Sequence, residues 1–160
     1  MSEMGSAVVI TCSTRAAAGD YPDRSGPIIV DALRAWGLAV GDAVVVADGP
    51  DVDAALRAAI SSAAVLVVTT GGTGLTPTDD TPEATGRVVD RLVPGIAEAI
   101  RSAGARAGVP AAMLSRGVSG LAGRTLVVNL PGSTGGARDG LAVLEPVVAH
   151  ALSQIQGGDH

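Results

Sequence analysis

Three aspartates, Asp48, Asp79 and Asp80, carry the most suggestive chemistry in this sequence. Two of them sit in the stretch TTGGTGLTPTDDTPEAT, residues 69–85. There Gly71, Gly72, Thr73 and Gly74 offer backbone N–H groups that can approach an anion closely, because three of the four lack a Cβ. Carboxylates beside such a loop suit a divalent cation that bridges protein and phosphate, the way oxygen-ligated Mg²⁺ usually binds. Asp48 ends a neighbouring apolar run and is placed to reach the same cation, giving Asp48, Asp79 and Asp80 as candidate metal ligands. A plainer reading stays open for each feature. Residues 71–74 also suit a tight turn, and the aspartates also suit solvated positions before a helix that Thr81 caps, with Pro82 first and Glu83 in the first turn.

Two further segments have the same character. NLPGST places the Asn129 amide, a rigid turn at Pro131 and Gly132, and the hydroxyls of Ser133 and Thr134 after another apolar run. It reads as a second anion-friendly rim, or as a turn followed by a helix cap. LSRG contributes Ser115 and Arg116; an Arg can pair with phosphate through two hydrogen bonds, or simply be solvated. Two standard nucleotide motifs are excluded. No Gly-Lys-Ser/Thr follows the glycines, and Pro77 stands where a dinucleotide fingerprint needs its third glycine.

The absences narrow the chemistry further. All 11 basic residues are Arg, so neither a Schiff base nor a P-loop lysine is available, and the histidines are His150, within a helical pattern, and His160. Catalysis therefore rests on carboxylates, hydroxyls, Arg, backbone amides and a metal.

The elements that must position these residues follow from periodicity. AVVIT (7–11), AVVVA (43–47), AVLVVTT (64–70) and TLVVNL (125–130) are short continuous apolar runs, as expected of strands buried on both faces. Helical stripes lie between them: Ile28, Ile29, Ala32, Leu33 and Trp36; then Val52, Ala55, Leu56, Ala59 and Ile60. Residues 82–105 read as helix, broken or bent near Pro94 and Gly95. The last helix carries Leu141, Leu144, Val147, Val148, Ala151, Leu152 and Ile155 on one face, and residues 110–117 are ambiguous. Alternating strands and helices predict one α/β domain over residues 1–160, with a mostly parallel central sheet covered on both sides. In such sheets ligands bind beyond the carboxyl ends of the strands. Those ends carry TCSTR, VADGPD, TTGGTG and NLPGSTGG, so loops rich in Gly, Asp and hydroxyls share one edge.

Composition agrees. With 47% hydrophobic residues, no Phe, one Trp and one Tyr, the core must be built from Ala, Val, Leu and Ile. A net charge of −5 with scattered arginines excludes a nucleic-acid groove. The single cysteine, Cys12, allows no internal disulfide and fits a reducing, cytoplasmic setting. The first twelve residues lack the basic segment and apolar length of an export signal, and AAVLVV is too short to cross a bilayer, so no membrane association is expected.

TTGGTGLTPTDDTPEAT, MLSRG, TLVVNLPGS and SGPIIVDAL together resemble, in order, the motifs of the MogA/MoaB family of molybdenum cofactor biosynthesis proteins, whose domain also occurs in gephyrin and in molybdopterin molybdenumtransferases. The likeness extends from about Val8 to Ile155. It implies a three-layer α/β/α fold of the molybdopterin-binding-domain type, assembled as a homo-oligomer, a trimer or hexamer, with molybdopterin at the strand ends. Active members are adenylyltransferases that use Mg-ATP to place AMP on the terminal phosphate of molybdopterin and release pyrophosphate; other cofactor biosynthesis proteins are the implied partners. By position the resemblance gives Asp79 and Asp48 catalytic roles, and makes Thr70, Gly71, Gly72, Thr73 and Gly74 a phosphate loop. Ser115, Arg116, Asn129, Pro131, Gly132 and Ser133 match pterin- and phosphate-binding segments. Asp23, Ser25 and Gly26 match a DxSG stretch lining the pocket, and Ser13 matches the serine ending the first strand. The chain departs from the family at Thr78, where many members carry Arg, and at Asp80, where Val is common. Those departures motivate one alternative, a binding-only MoaB-like paralogue; a weaker one, an oligomeric scaffold, follows from the use of the same domain as an oligomerisation module in larger proteins.

Overall fold

The computed structural model describes residues 4–159. Met1, Ser2 and Glu3, which belong to the stretch read for an export signal, and His160 lie outside the described residues.

Three of the four apolar runs form the centre of the sheet; the fourth, 43–47, gives only a short strand on its outer side with Val44 exposed, not the strand buried on both faces that its composition suggested. β1 (Ser6–Cys12) is followed by a one-turn helix α1 (Thr14–Ala17), α2 (Ser25–Ala35), β2 (Ala39–Val40), β3 (Val44–Val46) and α3 (Pro50–Ser61). Then come β4 (Leu66–Thr70), α4 (Thr81–Val88), β5 (Arg91–Leu92), α5 (Pro94–Arg106), a 3-10 segment (Pro110–Leu114), β6 (Ser119–Ala122), β7 (Thr125–Leu130) and α6 (Thr134–Ile155). The sheet order is β2-β1-β4-β7-β6-β5, with β3 also on β1. The β1–β4 and β4–β7 pairs are parallel and in continuous register, Ala7 opposite Leu66 and Leu66 opposite Leu126.

Alternation along these strands builds two cores. Val9, Leu66, Val68, Leu126 and Val128 face a cluster with Ile29 and Leu33 of α2, Ile100 of α5, and Leu144, Val148 and Leu152 of α6. Ile10, Val67 and Val127 face the opposite way, onto Val52 and Leu56 of α3 and Ala84 of α4. That is the expected three-layer arrangement: helices stand on both faces because every second residue of a fully buried strand needs apolar cover.

Three differences from the sequence reading have local causes. The break expected near Pro94 within residues 82–105 is there, but it is wider than a bend, because the chain leaves α4 at Val89 and forms β5 before Pro94 starts α5. β6 extends the sheet antiparallel to β7, and β5 pairs antiparallel with β6; their shortness and the absence of alternation in SGLA hid them. Val147 is 44% exposed, whereas Leu144 and Val148 of the same helix are buried, so the apolar stripe of α6 is narrower than its sequence suggests.

Candidate functional site

The carboxyl ends of β1, β3, β4 and β7 do converge, and two clefts open between their loops. The larger, of ≈ 940 Å³, is walled by residues 11–16, residues 21–25, Asp48, Thr76, Thr78 and Asp79. The second, of ≈ 540 Å³, has more apolar walls from Ile100, Val109, Ala112, Leu114 and Pro131, with Arg101, Ser115 and Asp139 among its polar side chains. Gly71, Gly72, Asp79, Gly132 and Ser133 line both. The glycine loop and the Pro131–Ser133 turn are thus a shared partition. They meet closely, since a Cβ on Gly132 would stand 3.1 Å from the Gly71 Cα.

The loop is held rigidly from behind. Gly71 donates its N–H to the Leu130 carbonyl (3.1 Å), and Thr81 donates to the Gly72 carbonyl (3.1 Å). Gly71 and Gly72 adopt φ of 91° and 69°, a region open to glycine at little cost. A side chain at Gly71 would also collide with the Cys12 carbonyl. The N–H groups of Gly72, Thr73 and Gly74 have no acceptor among the described residues, so three adjacent donors remain for a ligand.

Both candidate catalytic carboxylates flank this loop. Asp48 accepts from the Thr14 hydroxyl (3.0 Å) and more weakly from the Thr14 N–H (3.4 Å), both at Oδ2. Its other oxygen, Oδ1, is buried without a partner, as is the hydroxyl of Thr81. Asp79 accepts from the Thr76 N–H (3.1 Å), and its Oδ2 lies 2.8 Å from where a Gly74 side chain would begin. Asp80 turns outward to Arg87 (3.6 Å), which also makes a two-point ion pair with Asp53.

The donor set suits a hard cation in one respect: the orphaned Asp48 and Thr81 oxygens are the kind of ligand Mg²⁺ takes. Among the described residues no three of His, Cys, Asp and Glu gather as a metal-ligand group. A cation held here would complete its shell with phosphate oxygens and water, which is the habit of Mg²⁺.

Several residues singled out in the sequence are committed to the protein itself. Asn129 is buried; its amide donates to the hydroxyls of Thr69 (2.9 Å) and Thr85 (3.0 Å) and accepts from the Val118 N–H (3.0 Å). It ties β4, α4 and the entry to β6 together. Asp23 accepts from the Thr11 hydroxyl (2.8 Å) and the Gly26 N–H (3.0 Å), and Gly26 is small because any side chain would strike Asp23. Thr70 donates to the Pro131 carbonyl (2.8 Å) and lies 3.0 Å from the buried Ser25 hydroxyl. Ser133 caps α6 through the Gly136 N–H (3.0 Å); Ser13 caps α1 through the Ala16 N–H (3.2 Å) and touches the Tyr21 hydroxyl (3.0 Å). Arg116, read as a phosphate ligand or a solvated residue, instead places three of its five side-chain donors on protein oxygens, those of Gly74, Asp79 and Glu83. That contact holds the Glu83 carboxyl below the ordinary carboxylate range.

Residues not singled out in the sequence complete the walls: Thr14, Arg15, Tyr21 and Arg24 in the larger cleft, Arg101 and Asp139 in the smaller. Arg101 donates to the carbonyls of Ser115 (3.3 Å) and Gly117 (2.9 Å). Arg15 and Arg24 bring positive charge to the larger cleft from a loop whose arginines read as scattered. Cys12 stands at the wall of the larger cleft, nearly covered; burial pushes its thiol up to about 11, with the Thr81 hydroxyl opposing the rise and Asp48 adding to it.

Comparison with known proteins matches this geometry to one family. A family described as "Probable molybdopterin binding domain" matches residues 8–150. The solved structure of the molybdopterin biosynthesis Mog protein from Mycobacterium ulcerans superposes with a TM-score of 0.90 at 54% identity, covering 94% of this chain and 98% of that one. A molybdopterin adenylyltransferase of Helicobacter pylori is 35% identical over 93% of this chain and 86% of its own length. A molybdenum cofactor biosynthesis bifunctional protein of Synechococcus elongatus is 43% identical over 96% of this chain; the chain spans only 48% of that relative. By motif order, fold and likeness across nearly its whole length, the chain belongs to the MogA/MoaB family of molybdenum cofactor biosynthesis proteins.

Proposed function

We propose that this protein is a molybdopterin adenylyltransferase. The observation that carries the reading is the pair of clefts sharing one partition. A transfer between two substrates needs two pockets whose contents meet, and here they meet at Gly71, Gly72, Asp79, Gly132 and Ser133. The larger cleft, with Arg15, Arg24 and Tyr21, suits Mg-ATP; the smaller, more apolar one suits the pterin ring.

In this reading the terminal phosphate oxygen of molybdopterin attacks the α-phosphorus of ATP in line, a new P–O bond forms, and pyrophosphate leaves with the electrons of the broken bond. Because the nucleophile is already an anion, no histidine or lysine base is required; positioning and charge neutralisation are enough. The free amides of Gly72, Thr73 and Gly74 orient the phosphates. Asp48 and Asp79, with the Thr81 hydroxyl beside them, would hold Mg²⁺, which when bound neutralises phosphate charge. Asp80, turned toward Arg87, contributes less than its sequence position suggests.

Thr78 in place of a family arginine favours the alternative of a protein that binds molybdopterin without adenylylating it. Two observations weigh against it. Arg15 and Arg24 line the same cleft, and Arg87 offsets the extra charge of Asp80. A homo-oligomer, trimer or hexamer, working in the cytoplasm as a single domain completes the proposal; no helix among the described residues is long and apolar enough to cross a membrane. The test is incubation with molybdopterin and Mg-ATP, with mass detection of adenylylated product. Product formed by wild type and lost in Asp79→Ala supports the reading; pterin binding without product supports the alternative.

A further inference from the structure

Arg116 lines neither cleft, yet all three of its side-chain nitrogens are engaged on residues beside the partition. Its own N–H donates to the Thr73 carbonyl (2.8 Å), Nε to the Gly74 carbonyl (2.8 Å) and Nη2 to the Asp79 carbonyl (3.0 Å). Nη1 is anchored on the Glu83 carboxylate (2.7 Å), in the first turn of α4. One residue therefore grips three carbonyls of the segment that carries both the free amides and a candidate catalytic carboxylate.

The geometry of the peptide unit gives this grip a consequence. In a planar trans peptide the carbonyl of one residue and the N–H of the next point in opposite directions. The main-chain N–H at position 116 holds the Thr73 carbonyl, which any residue there would do, and so turns the Gly74 N–H away; the Arg116 side chain adds the hold on the Gly74 carbonyl, so that both peptide units of Gly74 are restrained. Gly74 lines the apolar cleft, and its N–H has no protein acceptor. Holding the Gly74 and Asp79 carbonyls pins both ends of residues 74–79, so the Asp79 side chain, which lines both clefts, keeps its place. We propose that Arg116 is a positioning residue that pre-organises the amide cradle and Asp79 by restraining the backbone behind them, and does not itself ligate the substrate phosphate. The proposal rests on the adenylyltransferase reading for its substrate, but not for its structural content. Fixed donors need no reorganisation when charge arrives, which is what makes them effective. Arginine suits the task because a planar fork with several donors can hold separate acceptors at once, and lysine cannot reproduce that.

The two roles for Arg116 predict opposite signs for a change at Glu83. If Arg116 were a phosphate ligand, Glu83→Gln would remove a competitor for its charge and tighten anion binding. If Arg116 is a clamp, Glu83→Gln loosens its anchor and weakens binding. Isothermal titration of wild type, Arg116→Gln, Arg116→Lys and Glu83→Gln with inorganic pyrophosphate and with Mg-ATP reads this directly. The expected result is a loss of about tenfold or more for Arg116→Gln, little recovery in Arg116→Lys, and a smaller loss in the same direction for Glu83→Gln. Tighter binding by Glu83→Gln, or unchanged binding by Arg116→Gln, overturns the proposal. Backbone ¹⁵N relaxation of Gly72, Thr73 and Gly74 supplies a measurement independent of ligand: order parameters of about 0.85 in wild type should fall below about 0.6 in Arg116→Gln. Order parameters that stay at the wild-type value also overturn it. Wild type that binds neither pyrophosphate nor Mg-ATP counts against the adenylyltransferase reading alone, because the relaxation experiment still decides the clamp.

Discussion

Asp48 Oδ1 and Thr81 Oγ1 converge on the single point where a side chain on Gly72 would begin, and neither oxygen has a hydrogen-bond partner. A buried polar atom without a partner costs about 1–3 kcal/mol, and native proteins keep few of them. Two such atoms aimed at one glycine of the partition are the pair to which the proposed function assigns the cation.

Gly72→Ala should therefore damage function far more than replacement of an exposed helical glycine such as Gly86. The new methyl would collide with the Thr81 hydroxyl and stand 3.0 Å from Asp48 Oδ1, at a φ of 69° that L-residues rarely adopt. We expect a loss of about 1–3 kcal/mol in stability from the backbone alone and loss of Mg-ATP binding. Gly86→Ala is the contrasting variant: it lies within α4 with nothing inside 4 Å of the added Cβ. It should be neutral or stabilising by up to about 1 kcal/mol. Thermal unfolding and titration of both variants check the pair.

Thr14 controls the opposite side of Asp48. Its hydroxyl donates to Oδ2 and accepts from the Asp48 N–H (3.2 Å), so the two residues lock each other across the β1 and β3 loops. Thr14→Val removes both bonds at nearly constant volume. The rate of product formation should fall about tenfold with a raised Mg²⁺ requirement, while Thr14→Ser should restore most of it. A Mg²⁺ titration of activity across the three proteins checks the assignment; equal curves would remove Asp48 from the cation's neighbourhood.

The parts of this protein that were legible in sequence are those set by periodicity and by strand ends. The four apolar runs became β1, β3, β4 and β7, and their loops met at one edge because a parallel sheet leaves no other arrangement. The direction in which polar side chains point was not legible. Asn129 and Arg116 occupy ligand-like motifs, yet one is sealed in the core and the other braced on backbone carbonyls. Such choices depend on acceptors 33 to 60 residues distant in the chain, Glu83 for Arg116 and Thr69 for Asn129. Arg15 and Arg24 show the converse: isolated in sequence, they join Asp48 and Asp79 in one cleft only after the chain has folded.

Asn129 should behave as a stability residue. Replacing it with Ala leaves the Val118 N–H without its acceptor and the Thr69 and Thr85 hydroxyls without their donor, all around a residue that is 3% exposed. A cost of about 2–4 kcal/mol follows, from lost hydrogen bonds and a small cavity together. Urea unfolding should give a lower midpoint at an unchanged slope, and the ligand affinity of the folded fraction should stay near wild type.

Cys12 should make stability fall in alkaline solution. Its thiol, 2% exposed, is pushed up to about 11 against an ordinary value of 9.0. Well below pH 9 the thiol is protonated in both folded and unfolded chains and stability is unaffected by it. Between about pH 9 and 11 the unfolded chain releases the proton first, so the folded state binds more protons and its stability decreases as pH rises. The distance from 9.0 to about 11 corresponds to about 3 kcal/mol when the window has been crossed. Cys12→Ala removes that dependence, so the difference in unfolding free energy between wild type and variant should shrink steadily through this range. Parallel stability curves for the two proteins from pH 8 to 11 would show that the thiol is not desolvated as the structure places it. The same burial predicts that native protein resists thiol alkylation at pH 8 and reacts once unfolded, since the thiolate is the nucleophile.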